Sequence, residues 1–162
     1  MKLRLAGVVH ESVVDGPGLR CAVFVQGCTR GCPGCHNPHT HSLAGGELIE
    51  SAALAASILQ QPHLDGITLT GGEPFLQAAA CAELLLPLRA ARRHCLAYTG
   101  FTWEEVQARP EYRQLLALLD VLIDGPYRAA AHAPELPFRG SHNQRVINVP
   151  RSLATGQLAI IP

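Results

Sequence analysis

The chain has no surplus of charge: thirteen basic side chains stand against thirteen acidic ones over 162 residues, and the formal net charge at neutral pH is zero. Proteins that grip nucleic acid or membrane surfaces broadly draw much of their affinity from clustered Lys and Arg, so this balance argues against both classes. Also missing is any apolar run near the ~20 residues of a spanning helix; the stretch 115–123 is interrupted by Asp120. The first twenty residues lack the charged start, apolar middle and small-residue cleavage site of an export signal, which predicts a cytoplasmic protein. Six cysteines are too sparse for a disulfide framework, and a reducing cytosol would not sustain one. There are no repeats and no low-complexity linkers. The length suits a single domain, 1–162, with residues 1–12 as an edge strand and 151–162 as a tail. Such a domain buries roughly 70% of the surface its unfolded chain exposes.

Against that background, three cysteines fall within eight residues, in Gly27-Cys28-Thr29-Arg30-Gly31-Cys32-Pro33-Gly34-Cys35-His36-Asn37-Pro38, directly after an apolar strand-like run. A cubane iron–sulfur cluster takes four thiolates, so a loop that supplies three leaves one iron open to another ligand. Two other chemistries share these letters. Zinc accepts Cys3His sets, and His36, His39 and His41 lie close by, but a second Cys pair is missing. Cys32-Pro33-Gly34-Cys35-His36 also spells the attachment pattern of covalent haem, which belongs to exported proteins and fits poorly with the absent signal. Cys21, Cys81 and Cys95 read as small, buried apolar side chains.

Short β-branched runs alternate with longer helical ones. Strands are predicted at 20–26, 67–70, 95–98, 121–124 and 146–149, with 3–9 adding one at the edge. Helices are predicted at 48–60 and 75–93, the second kinked or divided by Pro87, and from a capping box at Thr102-Trp103-Glu104-Glu105 to about 119 with a break at Pro110. Alternation of this kind predicts an α/β fold with a mostly parallel sheet and right-handed crossovers, open or curled toward a barrel.

Parallel strands all leave such a sheet toward one rim, where ligands bind. The unusual residues follow strands: the cysteine loop after the first, Gly71-Gly72-Glu73-Pro74 after the second, Tyr98-Thr99-Gly100-Phe101-Thr102 after the third, Asp124-Gly125-Pro126-Tyr127 after the fourth. Four segments are therefore expected to converge on one site. Gly71 and Gly72 remove side chains where a ligand or a neighbouring backbone comes close, and the Glu73 carboxylate suits an ammonium group. Trp103 is expected to pack beneath its capping box, His132 and His142 to face solvent or a hydrogen-bond partner, and 128–137 to form a rim loop that meets a partner.

Cys28-x3-Cys32-x2-Cys35 followed by Gly71-Gly72-Glu73-Pro74 resembles the radical S-adenosylmethionine superfamily. Within it the chain is similar to the activating enzymes of glycyl radical enzymes, through Val14-Asp15-Gly16-Pro17-Gly18-Leu19-Arg20 and Cys35-His36-Asn37-Pro38. The likeness is greatest to the group that activates anaerobic ribonucleoside-triphosphate reductases, through the runs 98–105, 120–125 and 138–145. It spans about residues 13–149. The resemblance implies a shortened partial (β/α) barrel and one 4Fe-4S cluster on Cys28, Cys32 and Cys35, with the open iron chelating the amino and carboxylate groups of S-adenosyl-L-methionine. It places the backbone of Gly34, Cys35 and His36 beside the adenine, and Gly71, Gly72 and Glu73 at the amino end. The partners it implies are the glycyl radical enzyme and a low-potential electron donor such as flavodoxin or ferredoxin.

This chain departs from that pattern at three positions. Gly34 stands where an aromatic is frequent, Ala97 where longer activases carry Asp, and Pro126 where they carry Lys. Arg139, Asn143 and Arg145 are candidates to bind the methionine carboxylate instead, or else pair with local groups. Alternative readings are another radical S-adenosylmethionine enzyme, either the activase of a different glycyl radical enzyme or one acting on a small molecule or peptide, and a non-catalytic iron–sulfur or zinc module. The module needs a fourth protein ligand, which neither Cys81 nor Cys95 is placed to give.

Overall fold

The alternation of strand and helix sequence resolves, in a computed structural model describing residues 1–162, into one seven-stranded sheet. In chain order the strands are β1 (Lys2–Ser12), β2 (Arg20–Val25), β3 (Glu47–Glu50), β4 (Gly66–Gly71), β5 (His94–Tyr98), β6 (Val121–Asp124) and β7 (Arg145–Asn148). The helices are α1 (Ser51–Leu59), α2 (Ala78–Ala90), α3 (Trp103–Gln107), α4 (Arg113–Ala117) and α5 (Val149–Thr155). Across the sheet the order is β3-β1-β2-β4-β5-β6-β7. Strands β2, β4, β5 and β6 pair in parallel, β1 runs against both β2 and β3, and β7 runs against β6. Five strands therefore share one direction, and β1 and β7 oppose it.

Side chains alternate across the pleat, and the two faces differ. Cys21, Val23, Val25, Ile67, Leu69, Cys95, Ala97, Leu122 and Ile147 point to one face, where they join Leu54, Leu84, Leu85, Leu88, Trp103, Leu115 and Val149 in a 31-residue buried cluster to which every helix contributes. At roughly 25 cal/mol per Å² of apolar area removed from water, this layer is the main stabilising term of the fold. The other face shows Arg20, Phe24, Thr68, Thr70 and Tyr98, with a small cluster of Leu96, Val121 and Ile123 closed by Val146 and Ile161. No helix packs into that cluster.

Some boundaries differ from expectation. Residues 47–50 do not begin a helix: they pair as an edge strand with Lys2 to Leu5, and the helix starts only at Ser51. Strand β1 consequently lies inside the sheet rather than at its edge. The helix carrying Pro87 is not divided, continuing to Ala90 with Ala91 N donating to the Pro87 carbonyl at 3.1 Å. Its first turn is a separate 3-10 segment, Pro74–Gln77. The capping box forms as expected: Glu105 N donates to Thr102 Oγ1 and Thr102 N to Glu105 Oε2, with Trp103 buried behind them. The C-terminal tail is pinned along β7, Asn148 N donating to Ala159 O and Ile161 N to Val146 O, both at 2.8 Å. No helix is long and apolar enough to cross a membrane.

Candidate active site

The cysteine loop leaves β2 and folds back on itself. Gly27 N donates to Thr40 O at 2.7 Å and Cys28 N to His41 O at 3.1 Å, so the loop returns beside its own start, while Cys35 N donates to Cys32 O at 3.1 Å in an inner turn. Gly31 and Gly34 take left-handed φ angles of 60° and 75°, where other residues are strained. The Asn37 amide donates to Cys35 Sγ at 3.4 Å. All six cysteines are free thiols, but they divide into two kinds. Cys28, Cys32 and Cys35 are half-buried, whereas Cys21, Cys81 and Cys95 lie wholly inside the helix-covered core. Burial pushes the Cys21 thiol up to about 11 and Cys95 to about 12, so these stay protonated and inert. Cys28 is also pushed up by burial, in part against a backbone hydrogen bond at Arg30 that lowers it.

Gly71 and Gly72 serve backbone approach. A Cβ on Gly71 would lie 2.7 Å from the Val25 backbone, and one on Gly72 would strike the Gly27 carbonyl. The close fit lets Gly72 N donate to Val25 O and Glu73 N to Gly27 O, both at 2.8 Å, fastening the loop after β4 to the first residues of the cysteine loop. Glu73 is buried, and its carboxylate is already engaged: Oε1 accepts from Thr99 Oγ1 at 2.8 Å and from Phe75 N at 3.1 Å, Oε2 from Gly100 N at 2.8 Å. Burial raises its pKa and these bonds oppose the shift. Glu73 thus ties the loop after β4 to the loop after β5.

A third tie comes from Arg30, between the first two cysteines. Its guanidinium lies 4.5 Å above the Phe101 ring and pairs with Glu105 at 2.9 Å, the same carboxylate that closes the capping box. A fourth lies after β6, where the buried Asp124 accepts from Trp103 N at 2.6 Å and pairs with Arg145 at 2.5 Å. Arg145 also pairs with Glu104 at 2.8 Å; these carboxylates hold its pKa above the usual arginine value.

These ties gather the four rim segments round one cavity of about 140 Å³, lined by Cys28, Cys32, Cys35, His36, Gly71, Gly72, Glu73, Thr99, Gly100, Gly125 and Tyr127 among others. A larger space of about 610 Å³ adjoins it, sharing His36, Asn37, Thr70, Tyr98, Tyr127 and Gln144 and reaching Asp15, Phe138 and Arg139. Every expected site residue except Gly34 lines the first cavity; Gly34 sits at its margin, where a Cβ would lie 3.5 Å from the Tyr127 ring. Of the three carboxylate candidates, Arg145 is committed to Asp124 and Glu104, and Asn143 donates to Pro126 O at 2.7 Å. Arg139 keeps a buried Nε with no partner. His132 meets Tyr127 and His142 pairs with Glu135 at 3.0 Å, as expected of non-ligand histidines.

The donor set suits a cluster better than a single ion. No three His, Cys, Asp or Glu side chains crowd closely enough to hold one metal ion, whereas a closed zinc site draws four ligands to about 2.0–2.3 Å. In an iron–sulfur cube each thiolate grips a different iron, and three cysteines spread round a cavity wall fit that demand. Arg30, Thr99 and Tyr127 escaped the sequence reading as individual site groups. Arg30 carried no signal in the sequence, while Thr99 and Tyr127 stood in segments already assigned to the rim.

Residues 14–147 match the family model described as a 4Fe-4S single cluster domain. The anaerobic ribonucleoside-triphosphate reductase-activating protein of Pasteurella multocida is 38% identical over 142 residues, covering 82% of this chain and 89% of that one. The protein of the same name from Escherichia coli K12 is 34% identical over 143 residues, covering 83% and 91%, and that of phage T4 is 32% identical over 139 residues, covering 82% and 86%. Among solved structures, QueE from Escherichia coli shares the fold at a TM-score of 0.50 and 22% identity, over 63% of this chain and 54% of that one, so the chain spans about half of QueE. With a family match over most of its length and relatives above 30% identity along the same span, this chain belongs to the 4Fe-4S single cluster domain family, among the anaerobic ribonucleoside-triphosphate reductase-activating proteins.

Proposed function

We propose that this protein activates an anaerobic ribonucleoside-triphosphate reductase by cleaving S-adenosylmethionine reductively and placing a glycyl radical on that enzyme. The observation that carries the reading is the meeting in one cavity of three cysteines from a single loop with the ends of three further parallel strands. Relatives bearing that reductase in their names give the partner. Cys28, Cys32 and Cys35 would hold a 4Fe-4S cluster, three thiolates being one short of full ligation. When bound, such a cluster would supply the low-potential electron for reductive cleavage of the sulfonium, the chemistry from which the glycyl radical of the partner would follow.

The chain's own part is positional. Gly71, Gly72 and Glu73 present backbone and carboxylate oxygens to an ammonium group, and the ties from Glu73 to Thr99 and Gly100 keep those oxygens fixed. The backbone of Gly34, Cys35 and His36 borders the adenine. Arg139 lines the larger space and pairs with no carboxylate of the protein, its Nη1 donating only to Gln144 O at 3.4 Å, and is the group left for the methionine carboxylate. The half-buried setting of the three thiols and the Asn37 amide on Cys35 are levers on the cluster's potential. We take residues 1–162 as one domain of a shortened, partly closed barrel, working in the cytoplasm with flavodoxin or ferredoxin as donor. The test is anaerobic reconstitution with iron and sulfide, reduction with S-adenosylmethionine, and addition of the anaerobic reductase. About four irons per chain, release of 5′-deoxyadenosine and a glycyl radical in the electron paramagnetic resonance spectrum are expected. Zinc loading without cleavage would falsify the enzyme reading, and cleavage without a radical on the reductase would move the assignment to another substrate.

A further inference from the structure

We propose that the ring of Tyr127 is the wall against which the nucleoside of S-adenosylmethionine lies. The inference rests on the activase reading and adds to it a side chain, from the loop after β6, that neither the cysteine loop nor the Gly-Gly-Glu turn supplies. Tyr127 belongs to neither hydrophobic cluster of the fold, yet its ring is held from three directions. On one edge it abuts Gly34, whose Cβ would lie 3.5 Å from Tyr127 Cε1. On the other it abuts Gly140, whose Cβ would lie 3.0 Å from Tyr127 Cδ2. Its hydroxyl meets His132 Nδ1 at 3.2 Å.

A ring slotted between two residues without side chains and tethered at its hydroxyl has little rotational freedom left to lose on binding. It is half-buried and lines both the thiol cavity and the larger space, so it stands at the passage from one to the other. The His36 ring lies beside it, 4.8 Å between centroids at a 45° tilt, leaving a wedge of two aromatic surfaces. Beside that wedge Asn37 lines both spaces, and its side-chain amide makes none of the protein's internal hydrogen bonds, leaving a donor and an acceptor for the edge of a base. Tyr98 also lines both spaces but packs against Leu96, Val121 and Ile123, where it serves the second core. An immobile π-face with an unpaired amide next to it suits a flat heterocycle with polar edges, which is the adenine end of the cofactor. Stacking of a base on an aromatic side chain contributes enough that its removal costs about 5- to 150-fold in affinity.

The experiment measures equilibrium binding of S-adenosylmethionine, S-adenosylhomocysteine and L-methionine to the reconstituted protein and to Tyr127→Phe and Tyr127→Leu, with iron content and melting temperature recorded for each. Tyr127→Phe should bind all three ligands nearly as the wild type does. Tyr127→Leu should lose about tenfold or more for the two adenosyl ligands and little for methionine. Equal affinity of Tyr127→Leu and wild type, or an equal loss for methionine, overturns the assignment. Photolabelling of the unaltered protein with an 8-azidoadenosyl analogue reads the same contact without substitution: label on the peptide containing Tyr127 supports it, and label only elsewhere overturns it. If the wild type binds no adenosyl ligand, the activase reading fails first and this one with it; if the wild type binds and Tyr127→Leu is unaffected, only the role of Tyr127 falls.

Discussion

The two faces of the sheet are built from the same strands and have opposite characters. One is covered by all five helices and closed by Leu, Ile, Val, Ala and Cys; the other keeps Arg20, Thr68, Thr70 and Tyr98 and opens into the site. Alternate residues of one strand, such as Cys95 and Ala97 against Leu96 and Tyr98, divide between the two faces. The covered face holds the molecule together and leaves the other free to carry polar groups that a packed core would exclude.

Substitutions on the two faces should therefore have different consequences. The largest effect is expected from the thiols: Cys28→Ala should abolish 5′-deoxyadenosine release, whereas Cys81→Ala on the covered face should keep it at a cost of about 1 kcal/mol in stability. Iron analysis and a cleavage assay on both variants check this, and the reverse pattern would reassign the ligands. Next, Leu84→Ala in the covered core should cost about 2–5 kcal/mol in denaturant unfolding while turnover per folded molecule stays near wild type. Arg145→Met should also be a stability lesion, because it leaves the buried Asp124 without its charge partner; a selective loss of cofactor affinity with unchanged melting would return Arg145 to the binding site.

The smallest effect concerns the far rim. Buried Arg20 donates to Thr68 Oγ1 and to the carbonyls of Pro17, Ile67 and His94, and its Nη2 meets His94 Nδ1 at 3.0 Å. Burial, then the Arg20 charge, lowers the His94 pKa below its ordinary 6.5, with Asp120 opposing and Arg89 adding. Because the folded value is lowered, the unfolded chain binds the proton first: this contribution to stability is present above pH 6.5 and is lost as pH falls through the folded value. Melting temperatures should therefore decline below that pH, and His94→Gln should flatten the decline.

Much of this architecture was legible because periodicity reports burial directly. The strands at 20–26, 67–70, 95–98 and 121–124 appeared within a few residues of their predicted bounds, and their following loops did converge. The edge strand at 47–50 was not legible, since Glu47-Leu48-Ile49-Glu50 is extended only through its pairing with β1, a contact between residues far apart in the chain. The sequence shows Glu73 only as a carboxylate at the rim; its bonds to Thr99 and Gly100, 26 and 27 positions further on, bury it between loops, and only the assembled rim reveals that tie. Tyr127 stood in a segment recognised as part of the rim, but its ring is located by two glycines, one of them in the cysteine loop and the other thirteen positions further along the chain.

Strand β7 runs against its neighbour β6, and the tail lies along its outer side. That reversal stops the parallel run at four strands, so no further parallel strand continues the polar face past β6. On the activase reading, shielding a short-lived species at that edge falls to the surface of the protein on which the radical is placed.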